Sequence, residues 1–443
     1  MSRDKNRDGS AGEGPESAAR PAEASVRLTV ATNFEPELLE AIKGYPVYEL
    51  FGKLPADPLG GGRASYMLSP LSKRALAAHV QDAHRHGIRF NYLLNAACLD
   101  NREWTRKGQR EIRRLLDWLA EIEVDAVTIS LPYLLDLIKR CYPQFRVTVG
   151  VFAGVDHVQK AKMWEELGAD CITLESLSVN RRFSLLASLR QSVTCDLMLL
   201  VNTNCLQSCP FSQAHMVALS HASQGRHPSR GFLLDYCFLR CTRMKLADPV
   251  NYIRSDWIRP EDLRHYEALG YDRFKLVERN APTDVLVRRV QAYSARHYDG
   301  NLLDLVQGWG FRSAREPARH VRRGLFWSLR TFLRPWAANP LGLLKIRRLA
   351  EAQGMLTPLR RDPPVVVDNR ALDGFLEFFF LVDCHERDCE RCRYCHRVAE
   401  RAVRIDPEFR QELLGRYDEV LEDLRSGAMW RYGGKARAQR ELQ

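Results

Sequence analysis

The stretch AVTISLPYLLDLIKRCYPQFRVTVGVF, residues 126–152, reads as strand, helix, strand. Ala126–Ser130 and Val147–Phe152 are short β-branched runs, and Tyr133–Cys141 between them places its leucines and isoleucine at helical spacing. A helix between two strands is the crossover that parallel pairing requires, whereas an antiparallel pair needs only a tight turn. The unit repeats in both directions along the chain. Further strand-like runs lie at Leu28–Thr32, Val47–Phe51, Ile88–Leu94, Cys171–Leu174, Leu197–Asn202 and Arg273–Val277. Helical stretches at Ser72–His86, Gly108–Ile122, Val155–Leu167 and Arg182–Leu189 separate several of them. LMLLV at Leu197–Val201 is apolar throughout, as expected of a strand covered on both faces. Eight such strands in roughly 270 residues predict an α/β fold, a closed (β/α)8 TIM-like barrel. The rival is a doubly wound open sheet. Its dinucleotide-binding form needs a glycine-rich phosphate loop after the first strand, and ATNFEPELL offers none.

The rhythm breaks after the seventh strand. Residues 203–272 carry Cys205, Cys209, Cys237 and Cys241, and an insertion that long inside a domain usually has a function. It leaves from the C-terminal end of a strand, the end at which barrels of this type place their chemistry. The chain then divides into a disordered tail over 1–25, the barrel over 26–305, a basic helical linker over 306–364, and a small Cys-rich lobe with a charged helical tail over 365–443. Within the linker, residues 319–336 alternate apolar and arginine positions at helical spacing. They make either a basic surface for RNA or membrane, or a helix packed on the barrel with solvated arginines. No run approaches a membrane span and the N-terminus lacks an apolar-centred leader, so a cytoplasmic location is the default expectation. The net charge of +11 suits an anionic partner, and is equally what an Arg-rich background composition produces.

Of 12 cysteines, Cys98, Cys141, Cys171 and Cys195 are isolated in apolar surroundings and read as small core residues. The other eight form two groups. NTNCLQSCPF and DYCFLRC contribute two C-x3-C pairs, a soft four-thiol set that suits either zinc or a [4Fe–4S] cluster. DCHERDCERCRYCH contributes Cys384, Cys389, Cys392 and Cys395 as a second set, either an iron–sulfur cluster or a zinc site stapling a lobe with little core of its own. Polar residues gather at the predicted strand ends: Asn33, the GGGR loop ending in Arg63, Asn91, Asn95, Asn202, Asn204, and Lys275, Glu278 and Arg279 in FKLVER. No HExxH, GxSxG or Walker motif is present.

The segments ATNFEPELLEAI, YELFGKL, GGGRAS, GIRFNYLLNAAC, VNTNCLQSCPF, IRPEDLRHYEALGYDRFKLVER and AYSARHYDGNLLDL together resemble the collagenase-like peptidase family U32, over about residues 27–305. The resemblance implies a (β/α)8 barrel with a [4Fe–4S] cluster on Cys205, Cys209, Cys237 and Cys241. It also implies kinship with enzymes of oxygen-independent hydroxylation acting on ubiquinone precursors or on RNA, beside relatives that carry a peptidase label. The strand-seven segment DLMLLVNTNCLQSC lacks the glutamate and glycine of the collagenase-type signature. The expectation is therefore an iron–sulfur enzyme of oxygen-independent hydroxylation or a related redox modification, acting on an anionic small molecule or an RNA base. His215, Lys275 and Arg279 are the candidate catalytic groups, and Asn33, Arg63, Asn95 and Asn204 the candidate substrate-binding groups. A peptidase, or a non-catalytic iron–sulfur subunit within a complex with a protein partner, are the alternatives.

Overall fold

The eight β-rich runs form eight parallel strands in the computed structural model, which describes residues 26–229, 231–308, 338–355 and 363–431. They are β1 Arg27–Ala31, β2 Val47–Gly52, β3 Arg89–Leu94, β4 Ala126–Ile129, β5 Arg146–Val149, β6 Cys171–Thr173, β7 Asp196–Leu200 and β8 Arg273–Leu276. Each pairs with its successor, and β1 pairs with β8 through Leu28↔Phe274, which closes the barrel. The expected barrel is therefore present. The tail 1–25 and the basic stretch 319–336 lie outside the described residues. No helix among the described residues is long and apolar enough to cross a membrane.

The two ends of the barrel differ in how they use charge. At the N-terminal end, aspartates at or just before the strands make local ties. Asp125 accepts from the Phe90 amide at 2.7 Å, Asp170 from the Val147 amide at 2.6 Å, and Asp196 pairs with Arg273 at 2.6 Å. These contacts hold strand to strand, the usual business of that face. Inside the barrel, a polar chain interrupts the apolar packing. Thr128 donates to Asn91 at 2.8 Å, and Asn91 donates to the fully buried Glu49 at 3.1 Å. Glu49 in turn lies within electrostatic reach of Lys275. Asn91, read from sequence as part of the rim, is thus an interior residue.

The insertion between β7 and β8 carries the helices Ser212–His221, Tyr236–Ala247 and Val250–Ile253. It is laced to the loop after β2. Gly61 N donates to Ser223 Oγ at 2.7 Å, and Asp57 bridges to Gln224. Gly60 needs to be glycine here: its φ is +81°, and a Cβ would lie 2.5 Å from the Ser220 carbonyl.

The C-terminal segment docks on the barrel instead of standing apart. Strands β9 Val365–Val367 and β10 Val403–Ile405 pair antiparallel, and Val367 O accepts from the Leu302 amide at 2.8 Å. Phe375 and Phe379 from the FLEFFF run are buried, with Phe375 against Trp257 at 5.5 Å between ring centres. Helix Pro407–Arg425 packs on Tyr236–Ala247, where Arg410 Nε donates to Leu246 O at 2.8 Å. The little core this segment has is shared with the barrel.

His79 illustrates the cost of burial. It is 4% exposed, wedged between Phe34 and Phe90, with Nε2 2.9 Å from Thr32 Oγ1. Burial pulls its pKa from 6.5 to about 4. Above pH 6.5 the ring is neutral whether the chain is folded or not. As pH falls from 6.5 toward 4, only the unfolded chain takes up the proton, so stability drops by about 3 kcal/mol across that window. His79→Phe keeps the ring packing and removes the titration. Urea unfolding at a series of pH values should show a flatter acid limb for the variant, and an identical limb would refute the assignment.

Candidate functional site

Four thiols gather in the insertion. Cys205 and Cys209 follow β7, and Cys237 and Cys241 sit one turn apart on helix Tyr236–Ala247, whose start is capped by Asp235 accepting from the Phe238 amide at 3.0 Å. Cys205 lies within electrostatic reach of Cys241 and Cys209, and Cys237 within reach of Cys209 and Cys241. Burial raises all four thiols, Cys237 to about 11. Lys245, whose ammonium donates to the Asn204 carbonyl, works against that shift at Cys205, Cys209 and Cys241. Cys205 is exposed to solvent. Among the described residues no three His, Cys, Asp or Glu side chains converge tightly enough to hold a single metal ion. The thiols are neighbours without meeting at one point.

The loop bearing Cys205 is held by Asp256, which is 4% exposed. One carboxylate oxygen accepts from the Cys205 amide at 2.8 Å; the other accepts from Thr203 at 2.6 Å and Ser176 at 2.7 Å.

The second cysteine set lies beyond that same segment. Cys384 is within electrostatic reach of Cys395, Cys389 and Cys392, and burial raises its thiol to about 12. Arg181 stands against this group, with its guanidinium 4.5 Å from the Trp257 ring centre and 4.9 Å from that of Phe375, donating to the Ile253 and Ser255 carbonyls at 2.8 and 2.5 Å. Arg254 lies 3.4 Å from His396, and Arg182 pairs with Asp383 at 2.8 Å. Residues 253–256 thus touch the surroundings of both quartets.

At the C-terminal mouth of the barrel a third group assembles. Lys53, just past β2, pairs with Asp57 at 2.8 Å, and the Tyr92 hydroxyl donates to the same carboxylate at 2.8 Å. Arg63 pairs with Glu278 at 2.7 Å. Glu278 has φ +102°, a costly conformation for a side-chain-bearing residue, found most often at functional sites. Arg279 is buried among these groups.

Arg63 and Arg279 are thus at the mouth as the sequence implied, with Asn95 beside Gly61 of the loop after β2, while the other candidates are dispersed. Lys275 lies deeper, 4.3 Å from the Phe51 ring centre, and burial lowers its pKa to about 8. Asn33 is committed to the scaffold, donating to Thr283 at 3.0 Å and accepting from the Glu35 amide at 3.1 Å. His215 stands 2.7 Å from Asp235 beside the first quartet. Asn204 lines a different, small cleft between Lys245, Asp304, Gln353 and Phe409. The GGGR loop is no free anion nest, because Gly60 N is spent on Asp57 at 2.7 Å and Gly61 N on Ser223. Lys53, Asp57 and Tyr92 were missed; the one available signal was the position of Lys53 immediately after a strand. Asp256 and Arg181 had no sequence signal.

The family model described as peptidase family U32 matches residues 61–245. A relative from Methanocaldococcus jannaschii, named an uncharacterized protease, is 30% identical over 369 residues, covering 83% of this chain and 90% of the relative. Among solved structures, a U32 peptidase is 19% identical with a TM-score of 0.43, covering 59% of this chain and 95% of that one. FabK from Thermotoga maritima is 14% identical with a TM-score of 0.26, covering 44% of this chain and 56% of that one. These two likenesses are loose, and the barrel rests on the strand order of this chain. The length and identity of the match to the Methanocaldococcus relative, together with the family-model match, decide the matter: the chain belongs to peptidase family U32.

Proposed function

We propose that the chain is an iron–sulfur enzyme that performs oxygen-independent hydroxylation, or a related redox modification, of an anionic small molecule or an RNA base. The observation that carries this reading is the quartet Cys205, Cys209, Cys237 and Cys241, in which Cys205 and Cys237 each lie within electrostatic reach of Cys209 and Cys241, on the insertion that leaves the C-terminal end of the barrel. The donor set fits a [4Fe–4S] cluster. Four soft thiols suit iron–sulfur ligation, and Cys205 is open to solvent. A four-iron cage also keeps its thiolates further apart than the tetrahedron around a lone zinc, whose bonds to sulfur are about 2.3 Å. Such a cluster, when bound, supplies one-electron chemistry near the barrel mouth. The chain's own groups do the rest. Asp256 fixes the Cys205 loop through three hydrogen bonds, Lys245 offers positive charge beside the thiols, and the mouth residues bind and orient the substrate. Cys384, Cys389, Cys392 and Cys395 would hold a second metal centre, iron–sulfur or zinc.

The name of the Methanocaldococcus relative favours a second reading, a peptidase. That reading needs a nucleophile, and His215, the histidine beside the first quartet, is engaged by Asp235 with no hydroxyl or thiol hydrogen-bonded to its ring among the described residues. Digestion of unfolded casein by the purified protein, abolished by His215→Gln, would establish it.

Protein prepared without oxygen should contain iron and sulfide and show the broad visible absorption of a [4Fe–4S] centre, which Cys205→Ala or Cys237→Ala should remove. Stoichiometric zinc with no iron would overturn the reading. For the second set, changing Cys389 and Cys392 together to Ser should lose one metal complement and open residues 384–396 to protease, while the barrel absorbance survives. Unchanged metal content and protection would show that this segment is held by its aromatic docking alone.

A further inference from the structure

Among the described residues, the deeply buried arginines are matched to partners, with one exception. Arg273 has Asp196, Arg259 has Asp262, Arg181 donates to two carbonyls, and Arg289 donates to the carbonyls of Val277 and Gln307. Arg279 is 9% exposed, its Nη1 is buried with no hydrogen-bond partner, and no carboxylate pairs with it among the described residues. The nearby acids are already taken, Asp57 by Lys53 and Glu278 by Arg63. Three cations therefore face two carboxylates at the mouth, and Arg279 carries the surplus charge. A buried charge without a counter-charge is strongly unfavourable, so the fold retains a group whose match arrives from outside.

Its surroundings are shaped for a ligand with more than one polar group. Asn95 Oδ1 and Glu278 Oε1 are also buried without donors. The loop after β2 closes on Asn95: a Cβ at Gly61 would lie 2.8 Å from its Oδ1, and one at Gly62 3.6 Å from its Nδ2. We infer that the barrel mouth is an oxyanion site, in which a carboxylate or phosphate group sits on the Arg279 guanidinium while Asn95 Oδ1 and Glu278 Oε1 accept hydrogen bonds from a hydroxyl or amino group of the same molecule. The planar guanidinium fork matches both oxyanions. This deepens the reading of the mouth as the substrate site, and it does not depend on the iron.

The test is thermal unfolding of the full chain, iron-loaded and iron-free, in sodium phosphate, sodium benzoate and sodium chloride at equal ionic strength. Phosphate or benzoate should raise Tm above the chloride value, and the larger rise identifies the preferred oxyanion. Arg279→Gln should abolish the rise, and in chloride it should unfold no lower than the parent, since it removes an unmatched charge. If that variant does not fold, Asn95→Asp, which puts a carboxylate opposite the anion, should abolish the rise instead. Equal Tm in the three salts, or a rise that survives either substitution, overturns the oxyanion site. An absent rise in protein with full iron content counts against this site alone. A normal rise in protein that never takes up iron counts against the redox reading alone.

Discussion

One buried carboxylate organises the functional end of this molecule. Asp256 lies late in the insertion, yet its oxygens receive donors from the loop after β6, through Ser176, and from the loop after β7, through Thr203 and the Cys205 amide. Its own carbonyl accepts from Asn180 at 2.7 Å. Hydrogen bonds to a charged acceptor are worth about 1.5–3 kcal/mol each, and three of them recover much of what it costs to bury the charge. The first thiol of the quartet is therefore positioned from the far end of its own insertion. The chain must leave β7, build its helices and return before Cys205 is held.

Charge falls into three tiers along the barrel axis. At the N-terminal end, aspartates such as Asp196 and Asp170 tie strand to strand. In the interior, Glu49 lies within electrostatic reach of Lys275 and accepts a hydrogen bond from Asn91. At the C-terminal end the pairs Lys53–Asp57 and Arg63–Glu278 bring together residues from loops far apart in sequence. The first tier stabilises the sheet, the second gives the lumen a polar axis, and the third defines a mouth.

The barrel was legible because its signal is local and repeated. Each strand is a short β-branched or apolar run, each helix has an apolar stripe, and eight repeats leave few other topologies. All eight strands lie where the patterning put them, within three residues at each end. Site residues were legible only where chemistry and position coincided: cysteines are rare enough to stand out, and Arg279 lies where a barrel strand ends. Asn33 misled because an asparagine after a strand serves a turn as readily as a ligand, and here it caps the approach to residues 281–283. Asp256 and Arg181 were invisible because their roles come from tertiary contacts across about 50–80 positions of sequence, in loops with no periodic pattern to announce them.

The same physics explains how the C-terminal segment joins the barrel. Burying Arg181 requires acceptors and a polarisable lining, and both come from distant parts of the chain. The carbonyls belong to Ile253 and Ser255, while the aromatic faces belong to Trp257 on the barrel side and to Phe375 and Phe379 on the other. Arg259 repeats the arrangement, pairing with Asp262 within the barrel and donating to the Asn369 carbonyl across the junction at 2.8 Å. Residues 253–259 thus face the thiol loop on one side and the docked segment on the other. That stretch, with Lys53, Asp57, Glu278 and Arg279, lies outside residues 61–245, the part matched by the family model. The matched part contributes the four thiols of the first quartet, Arg63 and Asn95. The counter-charges, the surplus cation and the carboxylate that fixes Cys205 come from the flanking chain, so neither part forms the site without the other.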